Sequence, residues 1–292
     1  MRARVRDTDL YFDIEGAGLD VGGSQARDKP VLFVLPGGPG DHTNLRPALT
    51  PISDKAQLVY LDYRGSGRSA RGRVETYTME NHVEDIEALR EHLGLDTIGV
   101  LGVSFGGMVA LSYATRYGDN LSHLVLVVTA PDGRFLKRAQ EILAERGTAQ
   151  QQRTAQRLWD GDFETPEQMA TYFETLGPLY SKTFDLAEER SRKYIHSPDA
   201  INAAYRGYLH DYDVLDELPR ITAPTLVIGA AHDWITAPEF SVEMADRIPH
   251  AELRMFERSG HAVQADEHEA FIDVIRGWLT YPPRTRDRVM HD

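Results

Sequence analysis

The stretch LGVSFGG, Leu101 to Gly107, places three glycines and one serine between a run that predicts a buried strand, 98–103, and one that predicts a helix, 108–117. Within it, residues 102–106 match the pattern G-x-S-x-G. A strand that turns directly into a helix forces the central residue into a strained conformation, and only small neighbours leave room for it. The sequence therefore predicts a tight turn that exposes Ser104, with a helix N-terminus behind it that favours negative charge.

The runs on either side of this turn alternate between strand and helix. Strands are predicted at 31–35, 58–61, 124–128, 225–228 and 252–256, and helices at 79–93, 239–247 and 267–279. The first segment, 3–15, has the alternating pattern of a hairpin, and the glycine-rich stretch 16–29 is a predicted surface loop. Alternation of this kind predicts an α/β fold with a mostly parallel sheet and helices on both faces.

The alternation stops in the middle of the chain. Between residues 131 and 218 the sequence has charged, alanine- and glutamine-bearing helical segments and no strand-like run. We therefore predict a core made of residues 1–130 and 219–281, a helical cap at 131–218, and a flexible tail at 282–292.

Composition excludes several classes of function. The 292 residues are 41% hydrophobic and 26% charged, with a net charge of −13, which disfavours nucleic acid and anionic membranes as partners. The absence of cysteine excludes disulfides, thiolate metal sites and a cysteine nucleophile. The N-terminus has no apolar signal region, and nowhere do eighteen apolar residues run together. The expectation is a cytoplasmic protein without a signal peptide or membrane span.

A serine nucleophile needs a base, and the base needs an orienting acid. Asp233, in GAAHDWIT, and His261, in ERSGHAV, each follow a late predicted strand, in the order acid then histidine. Parallel strands end at one edge of the sheet, so both side chains are predicted to meet Ser104 there. His232 is the nearest alternative to His261 as the catalytic base. For the other histidines a solvated or packing role is predicted: His42, His82, His92, His123, His196, His210, His250 and His268.

The loop LPGGPG, Leu35 to Gly40, directly follows the first central strand. An oxyanion hole needs two backbone N–H donors aimed at one point, one from the residue after the nucleophile and one from such an early loop. The predicted donors are Phe105 and Gly38, and Gly37 lets the backbone approach the substrate. The alternative is a plain Pro-Gly turn.

Five motifs in order, LPGGPG, DYRGSGRS (62–69), GVSFGG, GAAHD and SGH, make the chain resemble the proline iminopeptidase-like branch of the α/β hydrolases. The resemblance implies an α/β-hydrolase fold with an eight-stranded core, a helical cap and the same three catalytic residues. Our own expectation is that the protein uses no cofactor or metal. The family's early loop usually reads HGGPG and its second motif DQRGxGxS. By this resemblance the second motif braces the early loop.

Two departures from the family pattern concern the substrate. Pro36 replaces the histidine before GGPG, so a hydrogen bond that usually buttresses the loop is missing. Ala230 and Trp234 stand where the family's aminopeptidases hold the substrate amine with glutamates. Substitutes for those glutamates are available among the cap acids Asp185, Glu188, Glu189, Asp211 and Asp213. Alternatively, aromatic residues line an apolar acyl pocket or form cap core: Phe105, Trp234, Trp159, Tyr172, Phe173, Tyr180, Tyr205 and Tyr208.

The leading hypothesis is a serine hydrolase that forms an acyl-enzyme at Ser104 and cleaves a small amide or ester, with a small molecule or short peptide as substrate. A carboxylesterase or lactonase without aminopeptidase activity is the first alternative. An epoxide or haloalkane hydrolase would need a carboxylate at position 104. A non-catalytic binding protein on the same scaffold is the remaining alternative. The sequence leaves the oligomeric state open.

Overall fold

The central sheet has eight strands in the order β1-β2-β6-β5-β7-β8-β9-β10 in a computed structural model, which describes residues 1–23 and 25–280. β2 pairs antiparallel with β1 and β6, and all other pairs in this sheet are parallel. The predicted hairpin and the mostly parallel sheet are both confirmed. The strands are β1 (Arg2–Val5), β2 (Thr8–Glu15), β3 (Leu19–Asp20), β4 (Arg27–Asp28), β5 (Val31–Leu35), β6 (Gln57–Leu61), β7 (Ile98–Val103), β8 (Leu121–Val127), β9 (Thr225–Ala230) and β10 (Ala251–Phe256).

The α-helices cover both faces of the sheet and fill the middle of the chain. They are α1 (Leu45–Leu49), α2 (Met79–His92), α3 (Phe105–Arg116), α4 (Arg134–Arg146), α5 (Ala149–Asp160), α6 (Pro166–Tyr180), α7 (Leu186–Ser191), α8 (Pro198–Ala203), α9 (Pro238–Arg247), α10 (Val263–Asp266) and α11 (His268–Thr280). None of the helices within residues 1–23 and 25–280 is both long and apolar enough to cross a membrane.

Two hydrophobic clusters lie on opposite faces of the sheet. Phe33 and Leu35 of β5 belong to one cluster, and Leu32 and Val34 belong to the other. Successive side chains of a strand point to opposite faces, so a strand covered on both sides is apolar throughout. This explains why β5 reads VLFVL without alternation.

Several predicted boundaries differ from the structure. β8 begins at Leu121 rather than 124, and α3 begins at Phe105 rather than 108, directly after Ser104. The predicted last helix, 267–279, corresponds to α11, and the short α10 before it was not predicted. Glu267 lies between the two helices, and its carboxylate accepts hydrogen bonds from Arg258 and Ser259. The predicted surface loop contains the short β3–β4 pair. The predicted tail, 282–292, lies outside the described residues.

The middle stretch 131–218, called the cap below, contains the helices α4 to α8. Its two ends lie side by side, because an isolated antiparallel bridge joins Asp132 and Asp213. The Val214 N–H donates to the Pro131 carbonyl at 3.0 Å next to this bridge. Backbone contacts therefore hold the two ends of this stretch together.

Candidate active site

Ser104 lies in the turn between β7 and α3, with φ 55° and ψ −121°. Positive φ is rare for a residue with a side chain and costs free energy, so the surrounding turn has to hold it. A β-carbon on Gly106 would overlap the carbonyl of Leu35, and one on Gly102 would overlap the carbonyl of Gly106. The glycines thus provide the clearance that the tight turn needs, as predicted from LGVSFGG.

His261 and Asp233 are joined by a hydrogen bond of 2.8 Å between Nδ1 and Oδ2. Asp233 follows β9, His261 follows β10, and their exposed fractions are 1% and 9%. The two residues are 28 positions apart and meet because β9 and β10 are parallel neighbours. The structure places Asp233 and His261 at the carboxyl ends of the parallel strands, where Ser104 follows β7.

Four polar groups lie within hydrogen-bond distance of the Asp233 carboxylate. Its Oδ1 accepts from the N–H groups of Ile235 at 2.9 Å and Thr236 at 3.1 Å. Its Oδ2 lies 2.9 Å from the Thr236 hydroxyl in addition to the histidine. These contacts fix the carboxylate in the orientation that meets His261.

Ser104 is connected to this pair through the end of β8. The Ser104 N–H donates to the carbonyl of Val127 at 2.9 Å, and the Thr236 hydroxyl lies 2.8 Å from the carbonyl of Val128. No hydrogen bond between Ser104 Oγ and His261 occurs within the described part of the chain. Catalytic hydrogen bonds often form only when a substrate is bound.

The early loop contacts the serine. A β-carbon on Gly37 would lie 3.3 Å from Ser104 Cβ, so Gly37 lies directly against the serine. Gly38 has φ +123°, a conformation that favours glycine. Among the hydrogen bonds of residues 1–23 and 25–280, none uses the N–H of Gly38 or Phe105, the two predicted oxyanion donors.

The motif 62–69 is hydrogen-bonded to the early loop and the residues after it. The Asp62 carboxylate accepts from the His42 N–H at 3.0 Å and from Arg68 Nε at 2.8 Å. Burial by itself raises the pKa of Asp62, but the hydrogen bonds from His42 and Arg68 outweigh it and lower the pKa to about 2. The Ser66 hydroxyl donates to the Pro39 carbonyl at 3.4 Å. The buried His42 ring lies between two carboxylates, with Nδ1 2.8 Å from Asp62 Oδ1 and Nε2 3.2 Å from Asp13 Oδ2.

An aromatic cluster packs against Phe105, and it includes His82, for which the sequence predicted a solvated or packing role. The His82 ring lies 5.6 Å from Phe105, 4.9 Å from Tyr63 and 6.2 Å from Tyr208, measured between ring centroids. Burial lowers the pKa of His82 to about 3, so its ring is neutral. The burial of His82 could be inferred from the sequence, because His82 shares a helical face with Ile86.

The cap contacts the predicted base through Tyr180, at the end of α6. The Tyr180 ring lies edge-on to His261 with centroids 5.5 Å apart, and it lies 5.3 Å from the Trp234 ring. The Ala262 N–H donates to the Tyr180 carbonyl at 2.8 Å. Trp234 is 1% exposed, so the position of the family's second glutamate is filled by a buried indole.

Of the five cap acids proposed to hold a substrate amine, four are exposed: Asp185, Glu188, Asp211 and Asp213. The fifth, Glu189, is partly buried and already has partners, because it accepts from the Tyr194 hydroxyl at 3.2 Å and pairs with Arg192 at 3.6 Å. Burial raises the pKa of Glu189 despite the Arg192 charge. The Glu189 carboxylate is therefore already paired with other cap residues.

Asp266 connects the cap to the loop that carries His261. Its Oδ1 accepts from the Ser181 hydroxyl at 2.6 Å and from the N–H groups of Lys182 and Thr183 at 2.9 and 3.1 Å, while its Oδ2 accepts from the Gly260 N–H at 2.8 Å. Burial by itself raises the pKa of Asp266, but these hydrogen bonds outweigh it, so the pKa lies below its usual value.

We expect Asp266→Asn to lower the free energy of unfolding by about 1–3 kcal/mol at pH 7, because an amide NH₂ must then face one set of N–H donors. The folded-state pKa of Asp266 is depressed, so its contribution is complete above the unfolded pKa of about 3.9 and declines as the pH falls through the folded pKa. Denaturant unfolding of both proteins from pH 7 to pH 3 measures this. Glu269→Gln, an exposed acid nearby, is the control; equal stability of Asp266→Asn and the parent would contradict the assignment.

Residues 30–268 match the family model described as the alpha/beta hydrolase fold, and the chain belongs to this family. It is similar to the proline iminopeptidase PfmaB of Pestalotiopsis fici, with 31% identity over 92% of this chain and 98% of that one. This similarity over nearly the full length supports the proline iminopeptidase-like branch, as the motifs predicted.

Solved structures of the same fold include enzymes with different activities. The proline iminopeptidase of Mycobacterium smegmatis has a TM-score of 0.74 and 22% identity, covering 96% of this chain and 97% of that one. The enol-lactonase of Burkholderia xenovorans has a TM-score of 0.70 and 22% identity, covering 96% and 100%. At this identity the likeness establishes the fold alone.

Proposed function

We propose that the protein is a serine hydrolase that forms an acyl-enzyme, with Ser104 as nucleophile, His261 as general base and acid, and Asp233 as the orienting acid. The observation that carries this is the 2.8 Å hydrogen bond between His261 and Asp233 at the sheet edge where Ser104 occupies the turn after β7. A neutral imidazole that donates its Nδ1–H to a carboxylate has Nε2 available to accept a proton.

In the proposed reaction, Ser104 Oγ attacks the substrate carbonyl carbon while His261 Nε2 takes the hydroxyl proton. The carbonyl oxygen becomes an oxyanion that the N–H groups of Gly38 and Phe105 stabilise. The bond to the leaving group then breaks, and His261 gives its proton to that group. Water repeats the same steps on the acyl-enzyme and releases the acid.

The acyl group that fits this site is uncharged. The residues packed next to His261 are the aromatic Tyr180 and, behind it, Trp234, and the partly buried cap acid Glu189 is already paired. Burying an ammonium group without a carboxylate partner is costly. We therefore favour small esters, lactones or amides without a free amine. Release of an N-terminal residue is the second candidate, supported by the similarity to proline iminopeptidase PfmaB over nearly the full length.

Two esters with acyl rings of equal size separate these candidates. 4-Nitrophenyl cyclopentanecarboxylate and 4-nitrophenyl L-prolinate differ in one ring position, a CH₂ in the first and a charged NH₂⁺ in the second. We expect kcat/KM to be at least about 10-fold higher for the uncharged ester, because the site supplies aromatic rings rather than a carboxylate for that position. Initial rates at pH 7, with spontaneous hydrolysis subtracted, measure the ratio.

The corresponding anilides, cyclopentanecarbonyl and L-prolyl 4-nitroanilide, control for the leaving group. Preference for the prolyl compound in both pairs would favour aminopeptidase activity and contradict the uncharged acyl group. Absence of turnover of all four, together with no adduct at Ser104 after treatment with a fluorophosphonate, would contradict the proposed reaction class.

A further inference from the structure

Tyr63 is the second residue after β6 and is 1% exposed. Its hydroxyl donates to the carbonyl of Pro36 at 3.2 Å. Pro36 is the residue before Gly37 and Gly38 in the early loop, so this hydrogen bond is made to the segment that carries one proposed oxyanion donor. Burial raises the pKa of Tyr63 well above its usual value, and the hydroxyl therefore remains a donor.

The ring of the same side chain contacts the second proposed donor. The Tyr63 and Phe105 rings have centroids 5.4 Å apart at an interplanar angle of 84°, an edge-to-face arrangement. Aromatic pairs with this geometry attract each other beyond the area that they bury. One buried side chain therefore contacts both segments whose N–H groups are proposed to bind the oxyanion.

The two positions joined by this hydrogen bond are both departures from the family motifs. Pro36 stands where HGGPG has histidine, and Tyr63 stands where DQRG has glutamine. At the position where the loss of the histidine predicted a missing hydrogen bond, the early loop thus has one from the Tyr63 hydroxyl to the Pro36 carbonyl.

We propose that Tyr63 is a positioning residue that fixes the separation of the Gly38 and Phe105 N–H groups. This inference rests on the proposed function. Donors to a developing oxyanion act at hydrogen-bond distance, and a small displacement of one donor is sufficient to lower the rate. The ground-state substrate makes weaker contacts with these donors than the transition state does, so the effect should fall on kcat.

Tyr63→Phe tests this, because it removes the hydroxyl and keeps the ring. We expect kcat to fall about 10-fold to 100-fold with KM within about 2-fold, and fluorophosphonate labelling of Ser104 to slow by a similar factor. Steady-state kinetics with the better ester of the pair above and labelling rates by intact-protein mass spectrometry measure both. Rates are normalised to the folded fraction from near-ultraviolet circular dichroism.

Tyr113→Phe is the matched control, since Tyr113 is equally buried and its hydroxyl donates to Glu87 at 2.8 Å, within the α2–α3 pair. We expect this variant to lose stability but keep kcat within about 2-fold. A Tyr63→Phe protein with unchanged kcat and labelling rate, or with losses matching those of Tyr113→Phe, would overturn the positioning role. If Ser104→Ala retains activity, the proposed function has failed; if only Tyr63→Phe does, this inference alone has failed.

Discussion

Ser104→Ala is expected to lower kcat by at least about 10⁴-fold, because removing a serine nucleophile leaves only binding and oxyanion stabilisation. Alanine retains the β-carbon, so the strained turn at φ 55° and the surrounding glycine contacts are unchanged. The loss should therefore appear in kcat, with little change in the melting temperature. Ester hydrolysis under single-turnover conditions measures it, and mass spectrometry should find a fluorophosphonate adduct on the parent protein only.

The control for this substitution is Ser112→Ala, on α3 of the same structure. Ser112 Oγ donates to the carbonyl of Met108 at 3.0 Å, within the helix. We expect Ser112→Ala to keep kcat within about 2-fold. Ser104→Ala activity above about a tenth of the parent value would contradict the nucleophile assignment. Ser104→Gly should be inactive but more stable than Ser104→Ala, because glycine adopts positive φ without strain.

The turn around Ser104 could be predicted because its requirements are local. Positive φ at Ser104 and the overlap that a β-carbon on Gly102 would cause with the Gly106 carbonyl arise from residues that are neighbours in the chain. The parallel sheet was predictable for a similar reason, since strands buried on both faces are continuously apolar. Asp233 and His261 could be located because each follows a strand of that sheet.

The contacts that surround these residues could not be predicted, because they depend on how distant elements pack. The Tyr63 hydroxyl meets Pro36 across 27 positions, and Asp266 meets Ser181 across 85. The resemblance implied that DYRGSGRS braces the early loop, but it did not identify Tyr63 as a residue that makes the contact. The substitution of an indole for a family carboxylate at Trp234 was visible in the sequence, but its burial against Tyr180 required the structure.

Asp233→Asn is expected to lower kcat about 10⁴-fold, the size of loss found when the acid of a serine-histidine-acid triad becomes an amide. The amide oxygen is expected to keep the N–H donors of Ile235 and Thr236, which now meet Oδ1. The NH₂ group then faces His261 Nδ1, where the carboxylate oxygen was. That arrangement makes Nδ1 an acceptor and moves the imidazole proton to Nε2, so His261 is unable to accept the proton of Ser104.

The control is Glu87→Gln, another carboxylate buried in the core, whose partners Arg90, Tyr113 and Asn120 all lie outside the proposed site. We expect it to lose stability and keep kcat, whereas Asp233→Asn should lose kcat and the rate of fluorophosphonate labelling together. Because an activated serine is needed for both reactions, parallel losses indicate a base in the wrong tautomer rather than a damaged substrate pocket. Loss of ester turnover with an unchanged labelling rate would instead place Asp233 in substrate binding.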